Sequence, residues 1–444
     1  MSHFPNIFAA TRSQFGAGSS PRDLLEACLR RLEAREPEVK AFAALDPAAA
    51  RQAADASTAR YAAGRPLSTI DGMPIALKDI LETHDLPTGF GSPIFAGLNG
   101  GRDSAVAYAL RQAGAVIVGK AVTTEFAGSH PGPTRNPHDL ARTPGGSSSG
   151  SAAAVAAGMV PVAIGSQVGG SILRPASFCG VVGFKPTFGA LNRGGISDNF
   201  SQNCLGTLSA HLADGFAVCH EIAARVGGDP GFSPFSGGGA SAAPRRPDAL
   251  AVLQTAGWAK AEAGAIAAFE AFLPRLEAAG IRLVDRASSP RIEMLERAIA
   301  EAGPISQGIN DWEKAWPLFE LDHRAGAGLS PGLRADIARG RAMTPDNYRV
   351  LLHRRDEMRR LLVALADEVD GCVTLASLGP APLGIHATGE AIFNQPGSAL
   401  RTPAISLPML RVDELPLGLQ LIGFPDRDRA LSGLAEFVAA IPDI

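Results

Sequence analysis

Apolar positions recur at helical spacing soon after the chain begins. Following Ser20-Pro21, the run Arg22-Asp23-Leu24-Leu25-Glu26-Ala27-Cys28-Leu29-Arg30-Arg31-Leu32 places its apolar residues on one stripe and its charges on another. Serine followed by proline is a helix-opening pair, so a capped amphipathic helix is expected here. Residues 48–63 are alanine-rich and read as a second helix. The period then shortens. Residues 72–77 form a short apolar run, a buried strand that delivers Lys78 at its end. Residues 104–113 read as a helix, and 115–119 as a strand of the parallel type. Residues 151–157 should be a helix whose N-terminus lies at a cluster of serines. Strand and helix alternating in this way favour an α/β architecture.

The stretch 227–247 is rich in Gly, Ser and Pro and reads as a long surface loop. A strand (250–253), a helix (263–279) and another strand (281–284) follow. From 292 to 369 the pattern is mostly helical. Residues 372–375, 404–407 and 417–422 then return strands to the same sheet. No internal repeat or heptad register is visible.

At 444 residues the chain is long enough to bury a sizeable core. Its balance of 46% hydrophobic to 19% charged residues is that of an ordinary globular enzyme. A net charge of −3, with no basic run interleaved with aromatics, gives no electrostatic footprint for nucleic acid or anionic membranes. The five cysteines (Cys28, Cys179, Cys204, Cys219, Cys372) are odd in number and scattered without a Cys-x-x-Cys pair. Reduced thiols fit that pattern better than a disulfide framework or zinc site. The first residues lack a basic region leading into an apolar stretch, and no apolar window of spanning length occurs. A cytoplasmic enzyme is the expectation.

The candidate chemistry lies in Gly145-Gly146-Ser147-Ser148-Ser149-Gly150-Ser151, in Gly169-Gly170-Ser171, and in Lys78 within Asp71-Gly72-Met73-Pro74-Ile75-Ala76-Leu77-Lys78-Asp79. Glycines beside a serine let backbone N–H groups approach a reacting carbonyl and its developing oxyanion. A lysine in an apolar run is a candidate for burial, and desolvation favours the neutral amine that can take a proton. Together they point to acyl transfer with a serine nucleophile and a lysine base. Three other readings compete. A flexible linker would not continue into an apolar helix and strand, as this run does. A phosphate loop would need a lysine after its glycines. The run Gly146-Ser147-Ser148-Ser149-Gly150 also satisfies Gly-x-Ser-x-Gly, which would make Ser148 a nucleophile partnered by one of His211, His220, His323, His353 or His386. The residues before Gly146 are not the apolar strand such an elbow needs.

These motifs resemble the amidase signature family. The serine-rich run with the following Ala152-Ala153-Ala154-Val155-Ala156-Ala157-Gly158 is similar to its hallmark. So are Gly169-Gly170-Ser171-Ile172 with Arg174-Pro175-Ala176-Ser177-Phe178-Cys179-Gly180, the segment Gly119-Lys120-Ala121-Val122-Thr123-Thr124-Glu125-Phe126-Ala127, and Leu415-Pro416-Leu417-Gly418-Leu419-Gln420-Leu421-Ile422-Gly423. The resemblance is dense over roughly 65–210, returns near 390–440 and is weak between. It implies one large α/β domain over 1–444, a mixed sheet flanked by helices. Its parts are an N-terminal helical segment (1–65), a signature core (66–226), a surface loop (227–248), a variable, largely helical part covering the substrate (249–390), and a return to the core (391–444).

The resemblance further implies Ser171 as nucleophile, Lys78 as base, and Ser147 as the relay between them, with a cis peptide between Gly146 and Ser147. Backbone N–H groups of Val168, Gly169 and Gly170, with that of Ser171, would form the oxyanion hole. The scheme needs no metal or organic cofactor. Two spellings depart from the commonest one: Gln167 stands where many members carry Asp, and Leu173 where many carry Arg. The arginine comes one step later, at Arg174, and the spelling is closer to a malonamidase-like branch. Arg174 is therefore weighed as a substrate-carboxylate contact against a residue that holds the turn before Pro175. Trp312 and Trp316, one turn apart, are weighed as pocket lining against core packing; Asn394 and Gly397 are taken as structural. The expected activity is hydrolysis of a small amide, with a small-molecule substrate, no nucleic acid, no membrane and a homodimer. The alternatives are an A-type amidotransferase subunit that releases ammonia from glutamine, and a catalytically silent homologue.

Overall fold

A computed structural model describes residues 3–196, 201–235 and 241–442. Its centre is an eleven-stranded mixed sheet. In chain order the strands are β1 (Phe42–Leu45), β2 (Pro74–Lys78), β3 (Val116–Ala121), β4 (Val162–Gln167), β5 (Val182–Lys185), β6 (Cys204–Ser209), β7 (Ala249–Val252), β8 (Arg282–Val284), β9 (Gly371–Leu375), β10 (Ala404–Val412) and β11 (Leu415–Ile422). In space they run β1-β3-β2-β4-β6-β5-β10-β11-β9-β7-β8. Parallel pairs join β3, β2 and β4, and again β9, β7 and β8; the rest are antiparallel. The fold is thus the α/β architecture with a mixed sheet that the sequence predicts.

Local signals place the helices. Ser20 caps Pro21–Val39 by accepting the Asp23 N–H at 3.1 Å, and Asp46 caps Pro47–Ala62 by accepting the Ala49 N–H at 2.9 Å. Both begin on proline, whose missing N–H costs nothing there. The helix Ser149–Ala156 starts inside the serine run. Residues 227–235 and 241–248 carry no helix or strand; 236–240 of the expected loop lie outside the described residues.

Period-two alternation in β2 settles where Lys78 points. Ile75 and Leu77 pack in one apolar cluster with Phe184 and Leu205, while Ala76 belongs to the other with Ala152, Ala153 and Ala163. Lys78 follows on the face of Ala76, beneath Ser149–Ala156.

Three strands escape the apolar pattern: β1, β5 and β6. Strand β6 is buried throughout, yet Gly206, Thr207 and Ser209 dilute its apolar signal. Gly206 is required by proximity, because a Cβ there would lie 2.2 Å from the Phe184 carbonyl oxygen on β5. The largely helical part of the chain contains five helices between Pro290 and Val363, and it also contributes β7, β8 and β9 to the sheet.

Candidate active site

Lys78 is fully buried. Its Nζ lies 2.7 Å from Ser147 Oγ and 2.8 Å from Ser166 Oγ. The sheet produces this meeting: β2 and β4 are parallel neighbours, and Ser166 stands one residue from the end of β4. Ser147 comes from the loop before Ser149–Ala156, across the cis peptide Gly146–Ser147 that the resemblance implies. Ser166 was missed in the sequence. Its signal was a lone hydroxyl in an apolar strand just before the glycine pair.

Ser171 sits half-buried at the mouth of this group, and its carbonyl accepts the Ser148 N–H at 3.2 Å. Among the described residues no hydrogen bond joins Ser147 Oγ to Ser171 Oγ. The expected chain of contacts is therefore made between Lys78 and Ser147 and not between Ser147 and Ser171; catalytic hydrogen bonds are often long in a site without substrate.

The loop from Val168 to Ser171 offers N–H groups. Among the described residues, those of Val168, Gly169, Gly170 and Ser171 donate to no protein acceptor. The carbonyls, by contrast, are all anchored beyond Val168. Gly169 O accepts from Ser398 Oγ at 2.7 Å, Gly170 O from the Arg174 N–H at 3.0 Å, and Ser171 O from Ser148. Gly170 cannot carry a side chain, since a Cβ would sit 2.5 Å from Asn394 Oδ1. Asn394, taken from the sequence as structural, is buried and is held by its amide on the Ala376 carbonyl and Gln420 Oε1.

Gln167, the first unusual spelling, ends β4 beneath the loop. Its Oε1 accepts the N–H groups of Ile172 and Leu173 at 2.9 and 3.0 Å, tying down the start of the helix Leu173–Cys179. Its Nε2 donates to Ser398 Oγ at 3.0 Å.

Arg174 is buried, with its Nη2 on the Gly146 carbonyl at 2.7 Å and on Thr388 Oγ1 at 3.1 Å. Desolvation pulls its guanidinium down to about 10, still charged at neutral pH. Of the two roles weighed, these contacts are those of a residue that holds a turn; the turn is the one before Ser147.

Ser148 is committed elsewhere. Its Oγ donates to the Ser166 carbonyl at 3.2 Å and accepts the Ser166 N–H at 3.3 Å, while His211 bonds to the Phe4 carbonyl at 2.7 Å. A nucleophile elbow centred on Ser148 has no such geometry. Trp312 stacks on Tyr348 with ring centroids 5.5 Å apart, whereas Trp316, 77% exposed, edges an apolar cavity of about 490 Å³ with Phe90, Phe95, Phe126 and Leu318. The five cysteines are free and buried, and among the described residues no cluster of three His, Cys, Asp or Glu could hold a metal.

The family model described as Amidase matches residues 23–431. The A subunit of the glutamyl-tRNA(Gln) amidotransferase of Chloroflexus aggregans is 32% identical over 488 residues, covering 99% of this chain and 97% of the relative. A crystal structure of an amidase superposes with a TM-score of 0.84 at 26% identity, covering 97% and 99% of the two chains. The A subunit of the glutamyl-tRNA(Gln) amidotransferase of Thermotoga maritima gives 0.73 at 25% identity, covering 94% and 91%. Relatives named as subunits of a tRNA amidotransferase overturn the expectation of a small-molecule substrate without nucleic acid. The charge argument behind that expectation sees only a direct basic footprint.

Proposed function

Because the chain belongs to the amidase family and is a carbon–nitrogen hydrolase, we infer that it acts as an A-type amidotransferase subunit, releasing ammonia from glutamine through an acyl-enzyme on Ser171. The observation that carries the chemistry is Lys78 Nζ, fully buried and 2.7 Å from Ser147 Oγ. Lys78 accepts the proton of Ser147 as Ser147 accepts that of Ser171. Ser171 Oγ attacks the amide carbon, and its oxyanion meets the unclaimed N–H groups of Val168–Ser171. Collapse breaks the C–N bond, and the proton returns through Ser147 to the departing nitrogen as ammonia. Water then attacks the ester by the same relay and frees the acid. Support for glutamine and an assembly comes from full-length relatives bearing that subunit's name.

A second reading, an amidase that acts alone on a linear amide, draws on one observation. The backbone superposes better on the amidase structure (TM-score 0.84) than on the amidotransferase subunit (0.73). Ammonia release separates the two. As an A-type subunit, the chain should hydrolyse glutamine slowly alone and at least tenfold faster with its partner subunits, while Ser171→Ala and Lys78→Arg abolish turnover. The arginine variant keeps a cation that stays charged, so it cannot serve as base. Full-rate hydrolysis of simple amides by the isolated chain would favour the second reading, and an active Lys78→Arg would reject the lysine base.

A further inference from the structure

In a trans peptide the C=O and the following N–H point in opposite directions, so whatever fixes one aims the other. Gly169 O is fixed by Ser398 Oγ at 2.7 Å, and the N–H sharing that peptide plane is Gly170's, one of the groups without a protein acceptor. A serine hydroxyl has a single proton and can direct it to one acceptor only. Here that proton has a choice, because Gln167 also lies against Ser398 Oγ, at 3.0 Å. Gln167 meets it with an Nε2 donor, since its Oε1 is occupied by the Ile172 and Leu173 N–H groups. A donor on that side forces the Ser398 proton toward Gly169 O. Both side chains are buried, Gln167 at 0% and Ser398 at 1% exposure, so water cannot stand in for either partner.

We propose that Gln167 and Ser398 form a directional relay that aims the Gly170 N–H at the oxyanion, making both positioning residues for the Ser171 reaction. The proposal rests on the Ser171 acyl-enzyme reading above. A carboxylate at position 167 would still satisfy Ile172 and Leu173 but would accept from Ser398, drawing the hydroxyl proton away from Gly169. In this chain, where Ser398 Oγ lies between Gln167 and Gly169 O, it is therefore the amide and not merely a polar side chain that sets the direction of the hydroxyl proton.

The test uses phenylmethylsulfonyl fluoride, whose sulfonyl oxygen gathers charge as the serine oxygen displaces fluoride. The labelling rate is followed by intact-protein mass spectrometry on the full chain. Gln167→Glu and Ser398→Ala should each slow labelling of Ser171 by about ten- to a hundredfold, less than the 10²–10³ typical of deleting an oxyanion donor outright. Because the two act as one unit, the double variant should be no slower than the slower single variant. Ser398→Thr, which keeps the hydroxyl, should label at close to the wild-type rate. In ammonia release the loss should fall on kcat, with KM moved less than about twofold. Should Gln167→Glu fail to fold, Ser398→Ala against Ser398→Thr decides alone. Labelling of Ser398→Ala within twofold of wild type, or equal losses in the alanine and threonine variants, overturns the relay. A wild-type chain that labels at a residue other than Ser171 overturns the acyl-enzyme reading itself, and the relay with it.

Discussion

Arg174 shows how a correct residue can be given two different tasks by its sequence. Its place three positions after Ser171 suits a substrate carboxylate as well as it suits a turn. What the sequence could not supply is the distance to Gly146, which lies far back in the chain yet 2.7 Å from Nη2. Buried charge-assisted bonds of this kind are worth about 1.5–3 kcal/mol. Arg174→Ala should therefore loosen the Gly146–Ser147 segment and lower kcat about ten- to a hundredfold on every amide, charged or neutral. Steady-state comparison of a mono-amide of a diacid with a neutral amide of equal size checks this. A loss confined to the charged substrate would restore the carboxylate role. Lys78, Ser147 and Ser171 stand out as candidates because glycine and apolar context mark them locally, and the structure brings Lys78 and Ser147 into contact. Ser166 and Ser398 do not stand out, since single serines in buried segments carry no such mark.

At the scale of elements, helices with caps and strands with unbroken apolar runs were readable, whereas β5 and β6 depend on each other's close approach. The ends of β2 and β3 show another such dependence. Lys120 on β3 is fully buried, 3.3 Å from Asp79, the residue after Lys78. Lys120 Nζ also donates to Thr88 Oγ1 at 2.7 Å, and Asp79 accepts the Gly89 N–H at 3.1 Å. Burial raises the Asp79 carboxyl and lowers the Lys120 amine, each opposed by the attraction of the other. Lys120→Met would leave a carboxylate buried without its cation, a loss of about 3–5 kcal/mol. The sign with pH follows from Asp79. A carboxyl whose folded pKa is raised contributes stability below its unfolded pKa and loses it as pH rises through the folded value. Lys120→Met should therefore melt higher at about pH 5 than at neutral pH, and Asp79→Asn added to it should recover much of the loss. Thermal melts across pH test this; a variant equally stable at both pH values would show that the pair carries no such charge.

Across the whole molecule, the part with least family resemblance packs into a main apolar core through Ile292, Leu295, Ile305, Ile309 and Leu362, while two of its helices rest on a separate, smaller patch. Helices Ala315–Ala325 and Pro331–Ala342 share a small apolar cluster, Leu318, Leu321, Leu329, Leu333 and Ile337, packed against Ile94, Phe95 and Phe126. Beside it, both carboxylate oxygens of Glu125 accept the Ser330 N–H at 3.3 Å, in a buried setting. Glu125 stands next to Thr124, whose N–H donates to the Ser147 carbonyl at 3.3 Å. One short segment thus touches the Ser147 backbone at one residue and the start of the helix Pro331–Ala342 at the next. A hydrogen bond to a buried charge contributes about 1.5–3 kcal/mol, so Glu125→Ala should raise the local opening of the 315–342 region about ten- to a hundredfold. Limited proteolysis should then cut near 326–330 faster by that factor, while global unfolding by urea shifts much less. If these helices cover bound substrate, KM rises more than kcat falls. Unchanged cleavage near 326–330 would mean that the apolar cluster alone holds the helices down, and that Glu125 serves only the turn in which it lies.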